Sequence, residues 1–505
     1  MSAHAESPLL ELGAFELAGK IRSGQCTSLE VVDAHINEVK KWNPLINAVV
    51  EDNFNSAYSQ ARACDAEVQK RRTAGADAVN TLPPLFGVPF TLKEMISVAN
   101  FKHTLGSVHR RSFISKHDAT VTTRLKKAGA ILMGTTNVPE LGFWFECANE
   151  IYGRTNNPYD LSRTSGGSTG GEAALVGAGA SPFGLGSDIG GSVRMPAGFC
   201  GVFGHKPSGR LVPMTGHFPI YHTEAEKWRG DRYPLTVLGP LTRKASDLYP
   251  LMELLIGPDQ IDLEIRPGFK LKPRVTDWTG KVVWVMPSPS IKGVARTTPE
   301  IAETAMTAAR YFEAMGATLK VMRANVFEDA VKLWFASLSK ASGRSFTEIL
   351  SDGQTIDYKR ELLKLVLFKG DYTLPALGAS LLETLSRRFE SKLEGTKQES
   401  FDQIGQLKKE LGALLGEDAI LILPVHPRTA PKHNTPILRP FDFAMTGIFN
   451  ALEVPATAVP MGLGEQGLPL AVQVIAADGQ DHLTISAAEV LESAFGGWHK
   501  APFPT

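Results

Sequence analysis

A chain of 505 residues that is 43% hydrophobic can bury a large core, and its 53 acidic and 53 basic residues leave no net charge to draw it to nucleic acid. Four scattered cysteines, Cys26, Cys64, Cys147 and Cys200, form no C-x-x-C pair, which argues against a zinc site or redox dithiol and suits a reducing compartment. No stretch offers about 20 uninterrupted apolar residues, and the N-terminus lacks the pattern of a signal peptide, so a cytoplasmic protein without a transmembrane helix is expected.

Residues 27–42 open with Thr27 and Glu30, a capping-box pair, and repeat Leu29, Val32, Ile36 and Val39 at helical spacing. Residues 55–72 read as a second, polar-rich helix. The segment 83–94 (PPLFGVPFTLKE) turns extended and apolar, as a buried strand does. A helix over 119–129 ending at Gly129 and a short strand over 130–136 follow. Further on, 281–287, 419–424 and 467–476 read as strands, and 300–316, 397–416 and 483–496 as helices. This alternation implies an α/β layered fold. With no repeat and no obvious linker, one domain over 1–505 is expected. It divides into a helical segment (1–80), a catalytic core (83–210 and 410–480) and an inserted substrate-side and lid region (210–400).

Residues 165–209 are dense in Gly and Ser, too dense for ordinary helices or strands. A flexible linker is rejected because the Gly/Ser clusters bracket apolar stretches that would be buried. Glycines in such a setting mark tight turns or close backbone approach. In SDIGGSVR (187–194) the glycines let successive amides converge. Ser192 is then a candidate nucleophile. The amides of Ile189, Gly190, Gly191 and Ser192 are candidate donors to the oxyanion formed on attack at a carbonyl. A structural Gly-Gly-Ser turn is the alternative. The serine needs a base. None of the 12 histidines forms a readable triad with Asp, and His205 reads as structural. Lys93, at the end of the predicted strand, is a candidate because burial lowers a lysine's pKa; an ordinary surface charge is the alternative. GGSTGG (166–171) matches the nucleophile-elbow pattern G-x-S-x-G, but the residues before it read as polar turn, not strand.

Taken together, GVPFTLKE (87–94), SGGSTGGEAALV (165–176), GLGSDIGGSVRMPAGFCGVFGHKPS (184–208) and GLPLAVQVIA (467–476) resemble the amidase-signature family over nearly the whole chain. The intervals fit as well, 75 residues from Lys93 to Ser168 and 24 from Ser168 to Ser192. Within the family the likeness is greatest to the fatty-acid amide hydrolases of the second type. It runs through NNPYD (156–160), PVHPRTAPKHN (424–434) and FGGW (495–498). The resemblance implies a central mixed twisted sheet with helices on both faces. It also implies a Ser–cis-Ser–Lys triad, in which Ser192 attacks and Ser168, after a cis peptide from Gly167, bridges it to a neutral Lys93. Thr169, Asp188 and Arg194 match supporting positions. Two departures are Thr169, where many members carry Ser, and Glu94, where many carry Asp. No metal or cofactor is implied, and homodimers are common among relatives.

The aromatic segment 142–153 is rich in candidate substrate contacts. By resemblance Gly142, Phe143, Trp144 and Phe145 line a channel; packing in the core is the alternative. Residues 361–388 are apolar with basic ends, which fits either a lid over that channel or peripheral contact with a membrane. The expected activity is hydrolysis of small-molecule amides, lipophilic N-acyl amines or aryl acylamides, with esterase side activity. The alternative is the amidase subunit of a tRNA-dependent amidotransferase. Intact Lys93, Ser168 and Ser192 argue against an inactive binding scaffold.

Overall fold

The protein is described by a computed structural model over residues 7–218, 235–341, 345–367, 370–386 and 390–504. The expectations made for 1–6, and for 219–234, 342–344, 368–369 and 387–389 of the lid region, lie outside the described residues.

Eleven strands form one mixed sheet: β1 (Val49–Asp52), β2 (Pro89–Lys93), β3 (Ile131–Thr136), β4 (Phe183–Asp188), β5 (Phe203–Lys206), β6 (Val237–Thr242), β7 (Val282–Val285), β8 (Thr318–Val321), β9 (Ala419–Pro424), β10 (Ala456–Leu463) and β11 (Pro469–Ile475). Their spatial order is β1-β3-β2-β4-β6-β5-β10-β11-β9-β7-β8. β2 lies between β3 and β4 and runs parallel to both, whereas β4, β6, β5, β10 and β11 pair antiparallel in succession. Three of the strands come from 210–400, so that segment contributes to the central sheet.

Strand alternation shows why both faces are covered. In β9, Ile420 and Ile422 join a cluster with Ala305, Ala308 and Phe312 of the helix Pro299–Ala314. Leu421 and Leu423 join another with Met445, Ile448 and Phe449 of the helix Ala444–Ala451. The same period sorts β2. Phe90 and Leu92 enter the first cluster, where Phe90 stacks on Phe183 at 5.6 Å, and Thr91 and Lys93 turn to the opposite face. There Thr91 donates to the buried carboxyl of Glu172 at 2.7 Å.

The first long helix spans Ser28–Ile46, and its capping box of Thr27 and Glu30 forms as the sequence predicts. The helix read over 55–72 is Phe54–Ala74, and that over 397–416 belongs to Glu390–Leu415. The expected strand 83–94 narrows to Pro89–Lys93, because Pro83, Pro84 and Gly87 hold the preceding residues in turns. The polar residues before GGSTGG are not merely turn. Asn156–Asn157 and Asp160–Thr164 pair as a small ribbon apart from the central sheet. The glycine-rich segment is also more regular than its composition suggests, with a helix at Gly170–Gly177, β4, a helix at Arg194–Phe199 and β5. Its glycines are sites of close approach. A Cβ on Gly184 would lie 1.8 Å from Glu172 Oε2, and one on Gly186 would lie 2.3 Å from Thr169 Cγ2. Glycine's low helix and strand propensity is overridden where only a missing side chain lets helix and sheet touch.

Residues 345–367 and 370–386 pack as short helices, Phe346–Leu350, Tyr358–Val366 and Leu374–Ser386. Leu362, Leu363, Leu367 and Leu374 are 45–60% exposed. Among the described residues, no helix is long and apolar enough to cross a membrane.

Candidate active site

The site lies at the carboxyl ends of two neighbouring parallel strands, β2 and β4. β2 ends at Lys93, whose side chain is wholly buried. Its Nζ lies 2.7 Å from Ser168 Oγ, 2.9 Å from Ser187 Oγ and 3.4 Å from the Ser187 carbonyl oxygen. Burial pulls its pKa down from 10.5 to about 7, against the opposing pull of Asp188 and Cys147. At pH 7 a far larger share of such a lysine is neutral than of an unperturbed one.

Ser168 sits before the helix Gly170–Gly177, and the Gly167–Ser168 peptide is cis. Thr169 ties this turn to the facing strand and loop. Its N–H donates to the Ser192 carbonyl at 3.2 Å, and its hydroxyl to the Ser187 carbonyl at 3.2 Å. Trp498, of the FGGW motif, donates to Gly177 at the far end of the same helix at 3.1 Å. Exposure rises along the series, from 0% at Lys93 and 2% at Ser168 to 6% at Ser192. The lysine is the dry end and Ser192 the end toward solvent.

Asp188 organises the loop that carries Ser192. It accepts from the N–H of Gly191 at 2.7 Å and of Val193 at 3.1 Å. It also faces the Arg194 guanidinium with both oxygens, each at 3.0 Å. Burial alone would raise the Asp188 pKa, but Arg194 and these hydrogen bonds hold it well below the usual carboxylate range. Arg194 reaches on to Gln473 at 2.9 Å, Asn450 at 2.7 Å and the Thr446 carbonyl at 3.0 Å. Both charges are fully buried, so breaking the pair strands one of them. Arg194→Met is expected to lower stability by about 3–5 kcal/mol, read by chemical denaturation, because Asp188 would keep its charge without its partner. A loss under about 1 kcal/mol would contradict this.

Of the four loop amides expected to bind an oxyanion, that of Gly191 is committed to Asp188. The amides of Ile189, Gly190 and Ser192 donate to no protein group among the described residues.

The aromatic segment divides. Gly142 (φ 69°) comes close to Ser168, since a Cβ there would lie 3.4 Å from Ser168 Oγ and 2.6 Å from Met95 Sδ. Phe143 packs on Phe346, at the start of the helix Phe346–Leu350, at 4.3 Å. The Trp144 carbonyl and the backbone of Phe145 press against Gly167, and Phe145 is buried against Trp144 and His426. Glu146 anchors the segment by accepting from Asn434, with His433 Nδ1 2.7 Å from its carboxylate, which gives PVHPRTAPKHN a positional role. His205 bonds Thr457 at 2.9 Å and Asp481 at 3.3 Å, as its structural reading requires. Among the described residues no group of His, Cys, Asp and Glu could hold a metal ion. The four cysteines are unpaired.

Sequence reading overlooked Ser187, Thr446, Asn450 and Gln473. A signal was present for three of them. Thr446 and Asn450 interrupt the apolar helix AMTGIFNA, and Gln473 interrupts the apolar strand PLAVQVI. A buried polar side chain in such a setting demands a partner. Ser187 gave no signal beyond its place beside Asp188.

Residues 30–485 match the model of the Amidase family. The chain belongs to that family. This amidase is 38% identical to human fatty-acid amide hydrolase 2 over 97% of its own length and 90% of the relative's. It is 28% identical to a glutamyl-tRNA(Gln) amidotransferase subunit of Prochlorococcus marinus, over 90% of this chain and 91% of that one. Its fold matches the solved structure of a bacterial aryl acylamidase with a TM-score of 0.75 at 22% identity, covering 97% of each chain. It is a hydrolase acting on amides, with an α/β amidase-signature fold.

Proposed function

We propose that this amidase hydrolyses lipophilic carboxylic amides, N-acyl amines or aryl acylamides, through an acyl-enzyme on Ser192. The observation that carries the reading is the contact of Lys93 with Ser168 at 2.7 Å inside a dry pocket. A neutral lysine has two N–H donors and one lone pair. The Ser187 carbonyl can only accept, so it takes one N–H, and the proposed relay gives the other to Ser187 Oγ. The lone pair is left for the Ser168 hydroxyl. Ser168 passes its proton to Lys93 and draws the proton of Ser192, which attacks the amide carbonyl. The oxyanion is met by the amides of Ile189, Gly190 and Ser192. Ser168 then gives that proton to the departing amine and regains its own from Lys93, and a water that loses its proton into the same relay attacks the acyl-enzyme, freeing the acid and returning the proton to Ser192. Gly142 and Phe143 border the bound acyl group, with Trp144 and Phe145 behind them.

Similarity to a fatty-acid amide hydrolase at 38% supports the lipophilic class over the amidotransferase role. The match over 30–485 and a sheet whose strands run from Val49 to Ile475 support one domain. The unpaired cysteines fit a reducing, cytoplasmic setting. The test is a hydrolysis screen over amides of graded chain length and anilides, with Ser192→Ala as control. Turnover of long-chain or aryl amides supports the reading. Turnover of glutamine alone, with a second polypeptide co-purifying, replaces it with the amidotransferase role.

The exposed leucines at 362, 363, 367 and 374 support peripheral contact of the lid region with lipid. Co-sedimentation with anionic vesicles is expected for the native chain and is expected to fall at least about fivefold in Leu363→Glu/Leu367→Glu, since each buried leucine contributes about 1.5–3 kcal/mol. Equal sedimentation of both would dismiss the contact.

A further inference from the structure

The loop Ile189–Gly190–Gly191 is held by its carbonyls as well as by Asp188. Trp334, on the helix Ala330–Ala341, donates its indole N–H to the Ile189 carbonyl at 2.8 Å. The single Thr446 hydroxyl proton is shared between the Gly190 carbonyl at 2.8 Å and the Phe443 carbonyl at 2.7 Å. The only cis bond among the described residues is Gly167–Ser168, so the Ile189–Gly190 and Gly190–Gly191 peptides are trans. In a planar trans peptide the C=O of one residue and the N–H of the next point in opposite directions. Fixing a carbonyl therefore aims the following amide. Thr446 aims the Gly191 N–H, and that amide is spent on Asp188. Trp334 aims the Gly190 N–H, which has no protein acceptor among the described residues.

We propose that Trp334 is a positioning residue that turns the Gly190 N–H toward the substrate oxyanion, an assignment that rests on the Ser192 reading above. The indole is built for this. It is 5% exposed, packs edge-on against Phe443 at 4.6 Å, and lies directly on the loop. A Cβ added to Gly190 would be 3.2 Å from Trp334 Nε1 and 3.2 Å from Phe443 Cδ2. Glycine at 190 lets the backbone rest on the indole, and the indole N–H sets its rotation. An amide held in place beforehand reacts to charge that exists only in the transition state, so its loss falls on kcat and spares KM.

The test is Trp334→Phe, which keeps an aromatic ring and removes the N–H. Direct loss of an oxyanion donor costs about 10²–10³ in kcat, so loss of the group that aims one is expected to cost about tenfold. KM stays within about twofold, and thermal stability stays near that of the native chain. A trifluoromethyl ketone, which forms an oxyanion on Ser192, is expected to bind about tenfold more weakly, while a non-electrophilic amide analogue of equal length binds unchanged. Unchanged kcat and ketone affinity overturn the proposal, and so does equal weakening of the two inhibitors. If Trp334→Phe does not fold, benzothienylalanine at 334 exchanges the N–H for sulfur in a ring of the same shape and is held to the same outcomes. Ser192→Ala, run alongside, tests the underlying reading separately: turnover there would remove the nucleophile, whatever Trp334 does.

Discussion

Ser192→Ala is expected to lower kcat/KM for amides by at least about 10⁴-fold while leaving the fold intact, because in the proposed relay Ser192 is the nucleophile. Ser168 is 2% exposed and its Oγ is already in contact with Lys93. Ser187 is turned to the same amine. The alanine removes one oxygen from a side chain that is itself nearly buried, in a loop fixed by Asp188, Trp334 and Thr446. Denaturation midpoints should therefore stay close to native, which separates lost chemistry from lost structure. Steady-state kinetics on a long-chain amide, with thermal melts in parallel, reads both.

The second large effect is on pH dependence. The base must be neutral, and the Lys93 pKa is lowered from 10.5 to about 7. Its neutral fraction rises with pH, so kcat/KM is expected to climb about tenfold per unit below pH 7 and to level off above it. Lys93→Ala should lower kcat/KM by about 10²–10⁴-fold and abolish that limb. The control matters because other buried groups titrate nearby. Glu94 is pushed up to about 7 and Glu172 to about 8, both by burial, and Lys206 is pulled down to about 7 by burial. None of these is hydrogen-bonded to Ser168 or Ser192. Glu94 accepts from the amides of Thr104 and Leu105, Glu172 from Thr91 and Thr136, and Lys206 donates to the Pro207 carbonyl at 2.8 Å. A limb that persists in Lys93→Ala, or that vanishes in Glu94→Gln, would reassign the base.

Much of this is legible in the amino-acid sequence. Thr27 with Glu30 marks a helix start, AILILP a buried strand, and VPFTLK the strand that ends at Lys93. These signals are local, since caps and side-chain periodicity are properties of a few adjacent residues. The glycine-rich segment misled for the converse reason. Its helix and strand owe their existence to contacts such as Gly184 on Glu172, made across the fold. The ribbon at 156–164 was missed because neither strand carries an apolar face. Ser187 and Trp334 were out of reach for the same cause. Their importance lies in the partner atoms of Lys93 and Ile189, which only folding brings near.

The relay stands or falls on which oxygen becomes acylated. Native protein treated with a fluorophosphonate, digested and mapped by mass spectrometry should carry one adduct, on Ser192, and Ser192→Ala should carry none. An adduct on Ser168, or on no serine of the 165–209 segment, would contradict the account.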